Sequence, residues 1–201
     1  MEVRASLRGE GGTNVPCGEC VGCCVSSYHI PIRPQDKQAL AIIPAHLLVS
    51  VHGQPNGHAM LGYLSDGTCH MLSAGKCSIY PQRPQTCRDY DCRIFAAAGI
   101  DAGGPDKTVI NKRVREWRFT FKGEAEKRAH CAVQSAAAFI KNNRASFPGG
   151  RAPTASTGIA VLAIKAYEIF LKSDVHTKSA AEIANAIIKA SGEFDAGLSA
   201  P

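Results

Sequence analysis

The sequence predicts an α+β protein that is mainly α, with a small antiparallel β element in a cysteine-rich first half. Eight of the nine cysteines lie between positions 17 and 92, among short β-prone stretches separated by turn residues. The second hundred residues instead hold long segments whose apolar residues recur at helical spacing. We therefore expect a cysteine-cluster, metal-binding region over residues 14–100, a helical region packed on it over 101–195, and flexible ends at 1–13 and 196–201.

The first predicted elements are a strand and a helix. Residues 26–32 are typical of a short strand, which Pro31 restricts to a sheet edge because proline has no N–H to donate to a neighbour. From Arg33 to about Val51, apolar residues recur at helical spacing and predict a helix. Pro44 lies inside that span and is expected to kink the helix or split it in two.

The next stretch is predicted to form a small antiparallel sheet and then a helix. Asp66-Gly67 is a strong hairpin signal, because glycine readily adopts the left-handed backbone of tight turns. We expect the helix over residues 85–98, ended by Gly99. The predicted strands are residues 60–64, 69–72 and 77–80.

The second half is predicted to hold three helices, preceded by an extended arm. Trp117, Phe119 and Phe121 alternate along residues 114–121, which favours a strand with one buried face. Basic residues interleave with these aromatics over residues 112–119, a composition that can also bind nucleic acid. A nucleic-acid partner is nevertheless not expected, since the formal charge of +6 falls when thiols ionise on a metal. The predicted helices are residues 124–143, 158–172 and 178–190.

The densest chemical feature is a run of four cysteines within eight residues. Thiolates are soft ligands that suit zinc, copper(I) and iron–sulfur clusters. Cys17, Cys20 and Cys23 repeat the two-residue spacing that lets one turn of backbone aim two sulfurs at one centre. Cys24 is adjacent to Cys23, so the two side chains are expected to serve different metals or different corners of one cluster.

The alternative to metal binding is a disulfide framework, which persists in secreted proteins. The first sixteen residues have no apolar core of the kind that a secretory signal requires. The sequence also has no run of about eighteen apolar residues, so no transmembrane helix or membrane partner is expected. In a cytoplasmic chain, which is the expected location, this cysteine pattern more often binds metal.

The cysteine pattern resembles that of the YkgJ-type cysteine-cluster family. The matching residues are the run from Cys17 to Cys24 and the string Cys77-Ser-Ile-Tyr-Pro-Gln-Arg-Pro-Gln-Thr-Cys87-Arg88. Members of that family are described as candidate zinc- or iron-chelating domains, and one branch is a flagellin lysine N-methylase. The resemblance covers residues 14–95 and implies the following metal ligands: Cys17, Cys20, Cys23, Cys24, Cys69, Cys77, Cys87 and Cys92.

Two functions stay open at this point. In the first, the thiolates chelate an iron–sulfur cluster, such as [4Fe–4S], or zinc or iron ions. In the second, the same centre serves a redox or group-transfer enzyme, methylase-like, that acts on a protein or a small molecule. The tandem spacing favours an iron–sulfur cluster over zinc, because zinc ribbons usually place their cysteine pairs on separate knuckles.

Two arginines have alternative interpretations, and one cysteine has a separate one. Arg83 and Arg88 flank the Cys87 ligand and either offset thiolate charge, or bind an anionic substrate, or pair with Asp89 or Asp91 at the surface. Cys131 stands apart from the other cysteines, in a predicted helix, and is expected to be a buried small hydrophobe.

Overall fold

A computed structural model describes residues 15, 17–50, 52–53 and 55–198, and these form two compact units. The cysteine unit comprises the described residues of 12–91 together with Gly104–Arg113. The helical unit comprises Cys92–Gly103 and the described residues from Val114 onward. Helices predominate and the strands pair antiparallel, so the predicted α+β class is confirmed.

The cysteine unit contains a three-stranded antiparallel sheet built from β1 (Ile30–Ile32), β2 (Leu48–Ser50) and β3 (Ala59–Leu61). The strand order is β1-β3-β2, so β1 lies at an edge, as Pro31 predicted. Ile30 pairs with Leu61, and their buried side chains help to form the core of this unit.

The predicted helix over residues 33–51 is much shorter than expected. Helix α1 covers Lys37–Ile42, and Ile43 is already extended because it precedes Pro44. A 3₁₀-helix (Ala45–Leu47) leads directly into β2, so the helical prediction is wrong for residues 48–50, and position 51 lies outside the described residues. The apolar residues of this stretch pack against the sheet without continuing the helix.

The Asp66-Gly67 turn is confirmed. Leu64 donates its N–H to the Thr68 carbonyl at 2.7 Å, and Gly67 adopts a left-handed φ of 85°. A second, two-stranded sheet follows, with β4 (Leu72–Ser73) paired to β5 (Lys76–Cys77). The expected extension of this sheet to residue 80 is wrong, because a 3₁₀-helix begins at Tyr80.

The predicted helix over residues 85–98 is divided into α2 (Gln85–Asp89) and α3 (Arg93–Ala98). Tyr90 adopts an extended backbone and interrupts the helical hydrogen bonds. Gly99 has a φ of 67° and ends α3, as predicted.

The expected strand over residues 114–121 is wrong, because none of these residues lies in a strand. Helix α4 covers Thr108–Glu116, and residues 117–121 have no regular structure. Ile110 and Val114 are both buried, and their spacing of four residues suits one face of a helix. The alternating aromatics that suggested a strand begin only after the helix has ended.

Three longer helices form most of the helical unit. Their bounds are Glu124–Asn142 for α5, Ser156–Ala166 for α6 and Ala180–Leu198 for α7. Helix α6 contacts α3, α5 and α7, and alanines at these contacts let the helices approach closely. A 3₁₀-helix (Tyr167–Leu171) continues α6, whereas the sequence predicted one helix to residue 172. Within the described part of the chain, no helix has the length and apolarity needed to cross a membrane.

Replacing Gly67 with alanine should destabilise the cysteine unit. A Cβ at this position would lie 2.4 Å from the Ser27 hydroxyl oxygen, and the left-handed backbone is itself unfavourable for alanine. We expect a loss of about 1–2 kcal/mol in the free energy of unfolding, measured by urea titration. Gly62→Ala is the matched control, because a Cβ there meets no atom within 4 Å. Equal effects of the two substitutions would contradict this account of the turn.

Candidate metal centre

The first cysteine group lies on a tight turn followed by a 3₁₀-helix. The N–H of Cys20 donates to the Cys17 carbonyl at 3.0 Å, and Gly18 between them has a left-handed φ of 56°. The 3₁₀-helix (Gly22–Val25) then carries Cys23 and Cys24. The N–H of Gly22 points at the Cys20 sulfur over 3.4 Å, a contact that stabilises negative charge on sulfur.

The second cysteine group is joined to the first by backbone hydrogen bonds. The N–H of Cys69 donates to the Cys24 carbonyl at 2.7 Å, across 45 positions of sequence. The N–H of Ser27 donates to the Gly67 carbonyl at 2.9 Å, so the hairpin turn is held against the cysteine run. Cys77 follows on β5, which pairs with β4 just beyond Cys69.

Cys87 is positioned by the N-terminal end of α2. The Asp36 carboxylate accepts the N–H of Gln85 at 2.8 Å and so caps this short helix from a distant part of the chain. The Thr86 hydroxyl donates to the Pro31 carbonyl at 2.8 Å. Together these bonds hold the Cys87 segment against β1. Neither Asp36 nor Thr86 has a local sequence signal that indicates this role.

Four thiols take part in the apolar core of the cysteine unit. Cys69 is buried, and three partly buried cysteines pack against the same cluster of apolar side chains: Cys24, Cys77 and Cys87. All nine cysteines lie within the described residues, and all are free thiols. The sulfurs of Cys23 and Cys24 are 3.9 Å apart and share a hydrogen bond.

The thiols raise one another's pKa values. The hydrogen bond with Cys24, followed by burial, raises the pKa of Cys23 far above its ordinary value. Burial, together with the charges of Cys23, Cys69 and Cys77, raises the pKa of Cys87 to about 12. Burial is also the main cause of the raised pKa values of Cys17 and Cys69, with further contributions from Cys23.

Two arginines partly oppose this effect. The Arg83 charge lowers the pKa of the Cys87 thiol, and the Arg113 charge lowers that of Cys17. Arg83 also lies over the Tyr80 ring, 4.0 Å from its centroid. Arg88 donates to the carbonyls of Pro81 and Arg83 at 2.6 and 3.0 Å, so its guanidinium fixes the turn before α2.

The donor set fits a thiophilic cation. Neutral thiols tolerate this crowding, but their thiolates would repel one another, and a bound cation relieves that repulsion. Among the described residues, no three Cys, His, Asp or Glu side chains already converge as the ligands of one ion.

Two cysteines belong to the helical unit. Cys92 is buried, and its sulfur accepts the indole N–H of Trp117 at 3.2 Å. The other seven predicted ligands all belong to the cysteine unit. Cys131 is exposed on α5, so the prediction that it is buried is wrong.

Comparison with known proteins identifies the family. The family model described as "CxxCxxCC: Putative zinc- or iron-chelating domain" matches residues 16–117, just over half of the chain. No curated protein and no solved structure matches the chain. The match contains both cysteine groups and the segment Gly104–Arg113 that completes the cysteine unit. The chain therefore belongs to the CxxCxxCC family of zinc- or iron-chelating domains.

Proposed function

We propose that this protein binds zinc or iron through the thiolates of its cysteine unit. The carrying observation is the backbone hydrogen bond from Cys69 to Cys24, which brings two sequence-distant cysteine groups together. The packing of Cys24, Cys69, Cys77 and Cys87 around one small core supports the same conclusion. Cys17, Cys20 and Cys23 complete the set within this unit, and Cys92 stays a predicted ligand.

An iron–sulfur cluster is our preferred form of the centre. The tandem spacing of Cys17, Cys20 and Cys23 is typical of cluster-binding runs. The Gly22 N–H directed at the Cys20 sulfur is a contact that tunes cluster thiolates. Free thiols of this kind persist in a reducing compartment, so we propose a cytoplasmic location.

Removal of a central thiol should greatly reduce metal binding. Cys23 and Cys87 interact with each other and with further cysteines, so Cys23→Ser and Cys87→Ser should lose most of the bound metal. Cys131→Ser is the matched control, because Cys131 is exposed in the helical unit. The measurement is metal content by mass spectrometry after purification without oxygen. Full metal content in both variants would refute the assignment of these ligands.

The visible spectrum of the same preparations distinguishes the two forms of the centre. A brown protein that contains iron and acid-labile sulfide would support the cluster. A colourless protein that contains zinc would support closed thiolate sites and would refute our preference for the cluster. A wild-type protein without zinc or iron, even after reconstitution, would refute the proposed function itself.

The metal-free protein should lose stability at alkaline pH. The Cys87 thiol has a folded-state pKa of about 12, whereas its ordinary value is 9.0, and other thiols shift in the same direction. Above about pH 9, the unfolded chain releases these protons first, so the free energy of unfolding falls as pH rises. Urea titrations at neutral and alkaline pH measure this fall.

Zinc binding should show the opposite dependence on pH. The affinity for zinc should rise by roughly tenfold per pH unit for each thiol proton that the metal displaces. Competition with a chromophoric chelator at several pH values measures the slope, which Cys87→Ser should reduce and Cys131→Ser should leave unchanged. A zinc affinity independent of pH would show that thiol protons are not displaced.

A further inference from the structure

The segment Gly104–Arg113 returns to the cysteine unit after the chain has entered the helical unit. It begins with a 3₁₀-helix (Pro105–Lys107) and continues into α4. No local pattern indicates this return, since residues 101–107 have the Gly/Pro composition of an ordinary loop. Its contacts are nevertheless directed at the residues that carry Cys23 and Cys24.

Lys107 makes the most specific of these contacts. Its ammonium donates a hydrogen bond to the Ser26 carbonyl and forms an ion pair with Asp106 at 2.7 Å. It also lies 4.4 Å from the centroid of the Tyr28 ring. Only 13% of the Lys107 side chain is exposed, an unusual degree of burial for a lysine.

Ser26 connects Lys107 to the cysteine-bearing 3₁₀-helix. Ser26 follows directly after that helix and is completely buried, and its hydroxyl donates to the Gly22 carbonyl at the helix start. Lys107 therefore holds the residue that ties the two ends of this single turn together. Cys23 and Cys24 lie between the two tied ends.

A second contact supports the same turn at its other end. A Cβ added to Gly22 would lie 3.3 Å from the Ile110 Cα, so the backbones of Gly22 and α4 approach closely. Such an approach is open to glycine, whereas a larger residue would push the segments apart. Lys107 and Ile110, three positions apart on the return segment, thus contact both ends of the turn.

We infer that Lys107 is a positioning residue of the thiol site, which acts by fixing the turn that presents Cys23 and Cys24 to a metal. This inference rests on the proposed function and deepens it. Its action is geometric, since Asp106 offsets the Lys107 charge, whereas Arg83 and Arg113 are the arginines whose charges act on the thiols.

Lys107→Met tests this role, with Lys165→Met as the matched control. Lys165 is a similarly buried lysine, 18% exposed, that pairs with Asp195 at 2.6 Å and lies near the Phe194 ring within the helical unit. Lys107→Met should weaken cobalt(II) binding by roughly tenfold, because a hydrogen bond from a charged donor is lost. Lys107→Met should also change the visible d–d bands of bound cobalt, which report ligand geometry. Lys107→Arg should restore part of the cobalt affinity and part of the wild-type band pattern.

Alkylation in the metal-free protein provides a readout independent of metal. Cys23 and Cys24 should react faster with iodoacetamide in Lys107→Met than in wild type, as followed by peptide mass spectrometry, and Lys165→Met should match wild type. Unchanged alkylation together with unchanged cobalt spectra would overturn the inference. If wild type binds no zinc, iron or cobalt, the proposed function fails, and the alkylation rates still decide whether Lys107 fixes the turn.

Gly22→Ala keeps the test decisive if Lys107→Met does not fold. The added methyl would lie 3.3 Å from the Ile110 Cα and 3.4 Å from the Cys20 sulfur, and should displace the turn from α4 by a few tenths of an ångström. Because contact with Cys20 could itself shift the cobalt bands, faster alkylation of Cys23 in the metal-free protein is the deciding readout. Gly62→Ala is the control within the same unit, because its Cβ meets no atom within 4 Å. Gly22→Ala with wild-type alkylation and wild-type bands would show that the return segment does not position the thiols.

Discussion

The hydrogen bonds between the cysteine run and the hairpin are the constraint on which the cysteine unit depends. The N–H of Cys69 reaches the Cys24 carbonyl, and that of Ser27 reaches the Gly67 carbonyl. These two bonds close a loop of about forty residues without any bound metal. Closing a loop of this length costs chain entropy. Turn residues that accept a left-handed backbone, Ser27 and Gly67, make this closure geometrically feasible. The thiols of the two groups are thus neighbours because the backbone makes them so.

The same thiols serve two opposed purposes in this unit. As neutral groups, Cys69 and its neighbours fill a small apolar core, which a unit of this size can scarcely build from aliphatic residues alone. As thiolates, they would be the proposed ligands, and their burial would then have an electrostatic cost that a bound metal cation would offset. The raised pKa values of Cys69 and Cys87 reflect the cost of ionising these buried thiols. Stability and metal affinity are therefore coupled through one set of residues.

Local chemistry made part of the fold predictable. Pro31 indicated an edge strand, Asp66-Gly67 a hairpin, and Gly99 a helix end, because each residue restricts its own backbone whatever surrounds it. Tertiary packing decided the rest. Residues 48–50 follow helical spacing but join the sheet through pairing with β3, and Tyr90 interrupts a helix that propensity would continue. Asp36 and Lys107 act on partners that are 49 and 81 positions away, so no local pattern could indicate them.

The distribution of thiols between the units bears on the form of the centre. Eight thiols would complete two closed four-thiolate zinc sites, but the cysteine unit holds seven of them. Cys92 belongs to the helical unit, where the Trp117 indole N–H already contacts its sulfur. Seven thiols do not divide into two separate four-thiolate sites without a shared ligand. The proposed iron–sulfur cluster would need only four thiols, and the raised pKa values of Cys69 and Cys87 would favour the neutral form of either one that is not a ligand.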